Sequence, residues 1–274
     1  MTASLLHVSD LHTGRRDDPA VEAALAALVS RVAPELVVAS GDLTHRGRPE
    51  EHERAHRFLL SLGPPVLAVP GNHDLPYAFP ARFTRPWKEF ERRWKTTEPT
   101  YASPTLHVVG LNSARPYRQQ GGAVPREQLA RAGARLRDAA DGAYRVVVLH
   151  HHLVGAPWRA ARKRPLSHRS SVLDGLSSAG ADLILGGHIH QAAVSERREF
   201  EVVADGAPAA VLAVAPGFGQ PRPHRTGEAR GLAVYEIGER TVTAEVYVWS
   251  VTGFEQTARR IFPRGSGGLD ALTQ

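Results

Sequence analysis

The chain of 274 residues contains no cysteine. Disulfides are excluded, and so are thiolate metal ligands; any metal must be held by His, Asp, Glu or Asn. Aromatic residues are scarce, at 7%, so alanine, valine and leucine must fill most of the interior of a chain that is 42% hydrophobic. That is enough for one large domain or two small ones. No apolar run is long enough to span a bilayer. The opening MTASLLHVSDLH lacks a basic region followed by an apolar stretch of signal length, so the expectation is a cytoplasmic protein. No internal repeat is present. The net charge is +6, with the basic residues spread along the chain. This favours an anionic partner in general and does not by itself select nucleic acid.

What the chain has in quantity is histidine, 14 in all. Their positions carry more than their number. Short apolar runs at 4–9, 35–40 and 65–70 read as strands, and periodic stretches at 20–33 and 50–62 read as helices. Such βαβαβ order predicts parallel strands with crossover helices. An amphipathic stretch within 76–99 predicts a helix over the site or the sheet, and 125–139 predicts another, with Pro125 at its start. Further strands are expected at 105–112, 145–150, 182–187, 209–215, 231–237 and 241–249. The late ones lack long intervening helices and are expected to pair antiparallel. One domain over 1–262 and a loose tail over 263–274 follow, since no composition shift marks a boundary.

The strands end unusually. The first runs into Ser9-Asp10-Leu11-His12, the second into Ser40-Gly41-Asp42, and the third into Gly71-Asn72-His73-Asp74. The strand at 145–150 ends in His150-His151-His152, and the one at 182–187 in Gly187-His188-Ile189-His190. Each cluster alone is an ordinary turn. Together they should converge, because parallel strands direct their carboxyl ends to one edge. In extended chain, Asp10 and His12 would address one ion, and His188 and His190 repeat that spacing. A carboxylate can bridge two cations, while imidazole and amide supply neutral donors. Two carboxylates and one hydroxide do not neutralise two divalent ions. The surplus positive charge would attract a phosphate and stabilise its transition state.

These motifs, in this order and spacing, resemble the calcineurin-like metallophosphoesterases over roughly residues 4–250, and most nearly the class III cyclic-nucleotide phosphodiesterase-like branch. The resemblance implies an α/β fold, a four-layer αββα sandwich of two mixed β-sheets. It also implies two metal ions, from Mn, Fe, Zn or Co. Asp10, His12 and His190 would hold the first, and Asn72, His188 and one histidine of the triple the second. Asp42 would bridge them, and a bridging hydroxide would attack the phosphorus. His73 would be the catalytic residue, as general acid or donor to the phosphate. Asp74 would orient its neighbours. The family usually reads His-His-Pro at the triple. Placing Leu153 at the proline selects His151, whereas counting from the strand end selects His150; His151 is taken as the ligand. The implied substrate is a small phosphodiester or monoester, such as a cyclic nucleotide or a phospholipid headgroup. A nuclease and a metal-free scaffold of the same fold are the alternatives. A lipid-precursor pyrophosphatase would need an apolar insertion of convincing length, which is not seen. His7 and His107 are expected to be packed inside strands, and His45, His52, His56, His168 and His224 to lie at the surface. The basic stretch 157–169 and the Arg-rich loop 217–231 could meet an anionic substrate.

Overall fold

Leu5 and Leu6 are neighbours in the chain and both fully buried, yet they enter different cores. Successive side chains of a strand face opposite ways, so a strand buried on both sides must be covered on both faces. The computed structural model, which describes residues 2–154, 163–201, 210–219 and 228–264, shows what covers them. In chain order the elements are β1 (Ala3–Val8), α1 (Pro19–Val32), β2 (Leu36–Ala39), α2 (Pro49–Ser61), β3 (Val66–Ala68), α3 (Ala81–Thr84), α4 (Lys88–Trp94), β4 (Thr100–Ala102), β5 (Leu106–Gly110), α5 (Arg126–Arg137), β6 (Tyr144–Val148), α6 (Arg169–Ser178), β7 (Leu183–Gly186), β8 (Ala193–Glu196), β9 (Val211–Val214), β10 (Gly231–Ile237), β11 (Thr241–Trp249) and β12 (Phe254–Pro263).

The strands form two six-stranded mixed sheets, in the orders β12-β11-β10-β1-β2-β3 and β4-β5-β6-β7-β9-β8. Between them lies one core, in which Leu5, Val38 and Leu67 of the first sheet meet Val108, Val146 and Leu185 of the second. The outer face of the first sheet is covered by α1 and α2 through Leu25, Leu28, Ala55 and Leu59. The outer face of the second is covered by α5 and α6 through Leu136, Val172 and Leu176. The result is the expected αββα sandwich. Local chemistry sets the helix ends. Asp18 caps α1, accepting from the Ala20 N–H at 3.2 Å, with Pro19 pre-set in the first turn.

Strands β1, β2 and β3 run parallel, as do β5, β6, β7 and β9. Their carboxyl ends therefore share one edge of each sheet. Two expectations need correction. The late strands are not all antiparallel: β10, β11 and β12 are, but β9 pairs parallel with β7. The reason is β8, which passes beyond β9 to become the sheet edge and reverses the chain. Strands β4, β8 and β12 have no counterpart in the sequence reading; β12, FEQTARRIFP, is mostly exposed and carries charge where a buried strand would carry valine. The helix expected within 76–99 is α4, and of the two places open to it, over the site or over the sheet, it takes the second, with Phe90 in the core on the outer face of the first sheet. Of the expected loops and tail, residues 157–162, 220–227 and 265–274, with His224, lie outside the described residues.

Candidate metal centre

Each parallel strand hands its chain to a tight turn at the shared edge, and the turn backbones are unusual. Asp10, His12, Asp42, His188 and His190 all have positive φ, between 49° and 73°. Side-chain-bearing residues rarely adopt this region, with Asp and His among the more tolerant, and such strain clusters at functional sites. The extended-chain expectation for the Asp-x-His and His-x-His pairs is thus corrected. They converge through left-handed turns, not by strand alternation.

The side chains meet in two groups. Asp10 Oδ1 lies 3.0 Å from His190 Nε2 and 3.8 Å from His12 Nε2, and the two imidazole nitrogens are 3.2 Å apart. Asp42 Oδ1 lies 3.3 Å from His150 Nε2, which is 3.2 Å from His188 Nδ1. Asp42 Oδ2 is 3.9 Å from His12 Nε2, so the two oxygens of one carboxylate face the two groups. The centre straddles both sheets: Asp10, His12, Asp42 and Asn72 come from the first, His150, His188 and His190 from the second.

Accounting for the hydrogen bonds shows which atoms are left to hold a ligand. Asp10 Oδ2 accepts from Ser9 Oγ at 2.7 Å and from the His188 N–H at 2.8 Å, while Oδ1 has no hydrogen-bond partner among the described residues. His150 Nδ1–H donates to the Ser40 carbonyl at 2.9 Å; a carbonyl only accepts, so once a cation displaces the ring's second proton the lone pair is on Nε2, within the group. Asp42 Oδ2 and Asn72 Oδ1 are likewise buried without a hydrogen-bond partner among the described residues. Buried polar atoms are normally satisfied, and orphaned oxygens beside a carboxylate–imidazole cluster are what a cation would satisfy. The donor set therefore fits divalent metal ions.

The electrostatics of the protein alone point the same way. Burial opposes the charges on Asp10 and Asp42, but neighbouring imidazoles outweigh it and hold both carboxyls well below the usual range. Burial also opposes a proton on His150, yet the adjacent Asp42 carboxylate, helped by Asp10, pushes its pKa up to about 9. Burial drives His12 and His188 far down, leaving them neutral donors.

The sequence selected His151 of the triple; the structure places His150 in the cluster. His151 lies beside the same group: its Nδ1 is 2.8 Å from Ser113 Oγ, its ring centroid is 4.7 Å from that of His188, and its Nε2 is buried without a hydrogen-bond partner among the described residues, while Gly122 packs so close that a Cβ there would strike its ring at 2.4 Å. His73 is brought to the same place. Its N–H donates to Asp42 Oδ1 at 2.8 Å, and its ring centroid lies 4.7 Å from that of His12. Its Nδ1–H donates to the His45 carbonyl at 2.8 Å, with the Tyr77 hydroxyl 3.1 Å from the same nitrogen. Among the described residues the Asp74 carboxylate is hydrogen-bonded to no imidazole. It accepts from the backbone N–H groups of Gly71 at 2.8 Å, Thr44 at 2.9 Å and Leu43 at 3.2 Å, tying the Asp42 loop to the Asn72 loop.

Sequence reasoning missed Ser9, Ser40 and Tyr77, which orient Asp10, His150 and His73. Ser9 and Ser40 immediately precede polar strand ends, a usable signal. His7 and His107 are packed as expected. His52 is buried, not at the surface, with Nε2 bonded to the Asp74 carbonyl at 3.1 Å.

Residues 3–192, most of the chain, match the calcineurin-like phosphoesterase family. The chain belongs to this family. As a member it is a metal-dependent phosphoester hydrolase. A probable cyclic nucleotide phosphodiesterase of Synechococcus is 29% identical over 216 residues, 72% of this chain and 77% of the relative. The 3′,5′-cyclic adenosine monophosphate phosphodiesterase of Haemophilus influenzae is 27% identical over 217 residues, 73% and 74% of the two chains. A purple acid phosphatase from yellow lupin seeds superposes with a TM-score of 0.69 at 12% identity, over 97% of this phosphoesterase and 54% of the lupin chain. This phosphoesterase thus spans about half the lupin protein, and their likeness is one of fold.

Proposed function

We propose that this phosphoesterase is a binuclear phosphodiesterase acting on a small anionic substrate, of which a cyclic nucleotide is the leading candidate. The observation that carries the reading is the Asp42 carboxylate, whose two oxygens face two separate groups of carboxylate and imidazole ligand atoms. Asp10, His12 and His190 would hold one ion, and Asn72, His150 and His188 the other, with Asp42 between. Two bound divalent ions would supply positive charge for the phosphoryl oxygens and lower the pKa of water. Manganese, iron, zinc and cobalt all suit a nitrogen and oxygen donor set.

The protein's own groups do the rest. Ser9 and the His188 N–H hold Asp10 Oδ2, so Oδ1 alone turns to the ion site. Ser40 fixes the tautomer of His150. His73 keeps Nδ1–H on the His45 carbonyl, which leaves Nε2 for the substrate. That nitrogen would meet a phosphoryl or leaving-group oxygen. The names of the relatives, matched across most of this chain, favour a cyclic nucleotide over the wider phosphodiester class.

The test is a substrate panel with metal-defined protein: cyclic nucleotides, phospholipid headgroup diesters, nucleotide monoesters, single-stranded DNA and bis(p-nitrophenyl) phosphate. Hydrolysis of the small diesters with two equivalents of metal per chain is expected. Binding of one equivalent, or a preference for DNA, would overturn the assignment.

A further inference from the structure

A cavity of about 670 Å³ opens near His73, to which Tyr77 connects it. Tyr77 lines the cavity, and its hydroxyl reaches His73 Nδ1 at 3.1 Å. Arg46, the next lining residue on this side, directly follows His45, whose carbonyl holds the same nitrogen. The size is that of sites for drug-sized molecules, about 300–1,000 Å³. Its walls have two characters. Pro49, Pro76, Tyr77 and Ala81 make an apolar surface, and Arg46, Arg48, Arg85 and Lys88 bring positive charge to it. The one lining carboxylate, Glu89, is already engaged by Arg93 at 2.9 Å. Among the described residues, none of the four cations is in an ion pair, and all four are exposed.

The metal centre can account for the charge on one phosphate. It gives no role to four cations around an apolar wall near His73. We infer that this cavity receives the part of the substrate distal to the scissile phosphate, and that this part is amphipathic, with an apolar middle and a second anionic group. The inference rests on the proposed phosphodiesterase reading and narrows its substrate class to phosphoesters carrying two separated negative groups. A simple cyclic mononucleotide, with one charge, would leave the second contact unused, so the class favoured here is a phosphodiester with a second anionic group. One group lies at the ion site, and the other is met by Arg85, Lys88 and the Arg46–Arg48 turn. Contacts of exposed cations with an anion are screened by salt, so this second contact weakens as ionic strength rises.

The probes are thymidine 5′-monophosphate and thymidine 3′,5′-bisphosphate, which differ only in the second anion. Calorimetric titration of both into manganese-loaded wild-type protein, and into the Arg85→Gln/Lys88→Gln variant, reads the contact directly. The bisphosphate is expected to bind the wild type at least about tenfold more tightly than the monophosphate. That gap should close in the variant and at high salt. Equal affinity of the two probes for the wild type overturns the inference, as does a variant that weakens both by the same factor. A protein that sediments as a dimer and shows no gap has this wall covered by a second copy, and the inference again falls. Turnover of bis(p-nitrophenyl) phosphate by the same wild-type preparation tests the metal centre separately. A missing gap with intact turnover removes the cavity reading alone, and a gap without turnover removes the catalytic one alone.

Discussion

At the scale of single residues, Asp42 and His73 do different work and should fail differently. Asp42→Ala removes the carboxylate facing both clusters. We expect turnover of bis(p-nitrophenyl) phosphate to fall by more than about 100-fold, with loss of bound metal seen by elemental analysis. His73→Ala removes a proton donor, so turnover should drop by about 100- to 10,000-fold while metal content holds. If metal content falls and turnover does not, the roles are reversed. The histidine triple gives a sharper comparison. His150→Ala should cost one equivalent of metal, because His150 Nε2 lies 3.3 Å from Asp42 Oδ1; loss of that equivalent in His151→Ala instead would return the role to His151, whose Nε2 is buried without a hydrogen-bond partner among the described residues. The aspartates and most of the histidines were legible because each follows an apolar run. The choice within the triple was not. Both neighbours are buried beyond the end of β6, with ring centroids 5.0 and 4.7 Å from that of His188, so a burial pattern does not separate them. His52 was misplaced although a signal existed: His52, Ala55 and Leu59 are spaced along one face of α2 and are all buried.

At the scale of elements, the turns are held to one another more than to their strands. Gly71 sits against the Asp42 loop so closely that a Cβ would lie 2.2 Å from Asp42 Oδ1 and 2.3 Å from its backbone nitrogen. Gly71→Ala should therefore displace the Asp42 carboxylate and lower metal affinity, read by competition with a fluorescent chelator. Wild-type affinity in that variant would show that the contact is relieved elsewhere. Asp74 ties the same two loops by three backbone N–H bonds, and Asp74→Ala should cost about 1–3 kcal/mol by urea unfolding. The crossover helices and the parallel strands could be read from periodicity, because both report burial. The left-handed turns could not, since φ is set by how the loops meet and not by the residue types within them. Strand β12 escaped for the opposite reason: an exposed, charged edge has no burial to report.

At the scale of the molecule, the interior carries unusual titrating groups. His7 lies in β1 with no exposure, its Nε2 bonded to Ser40 Oγ at 2.8 Å. Burial lowers its pKa from 6.5 to about 3. The folded chain refuses a proton that the unfolded chain accepts below 6.5, so stability falls as pH drops through 6.5 and levels off only near 3. The contribution is on the order of a few kcal/mol. In urea titrations of chelator-treated protein, His7→Gln should make the acid limb of stability against pH shallower. An unchanged limb would assign it to other groups. The sandwich architecture was legible as a whole through the family resemblance and the strand order. The pairing of β9 was not, because β8 is only four residues long and its effect on the topology is out of proportion to its length.

The placement of the ligand set across the two sheets has one further consequence. Each proposed ion would take donors from both halves of the sandwich, and so would act as a rivet through the seam. Such ions would make the halves cooperative: neither could swell or open without expelling the cation it shares with the other. Amide hydrogens near the carboxyl ends of β1 and of β7, far apart in the chain, should then lose protection together when the ions are withdrawn.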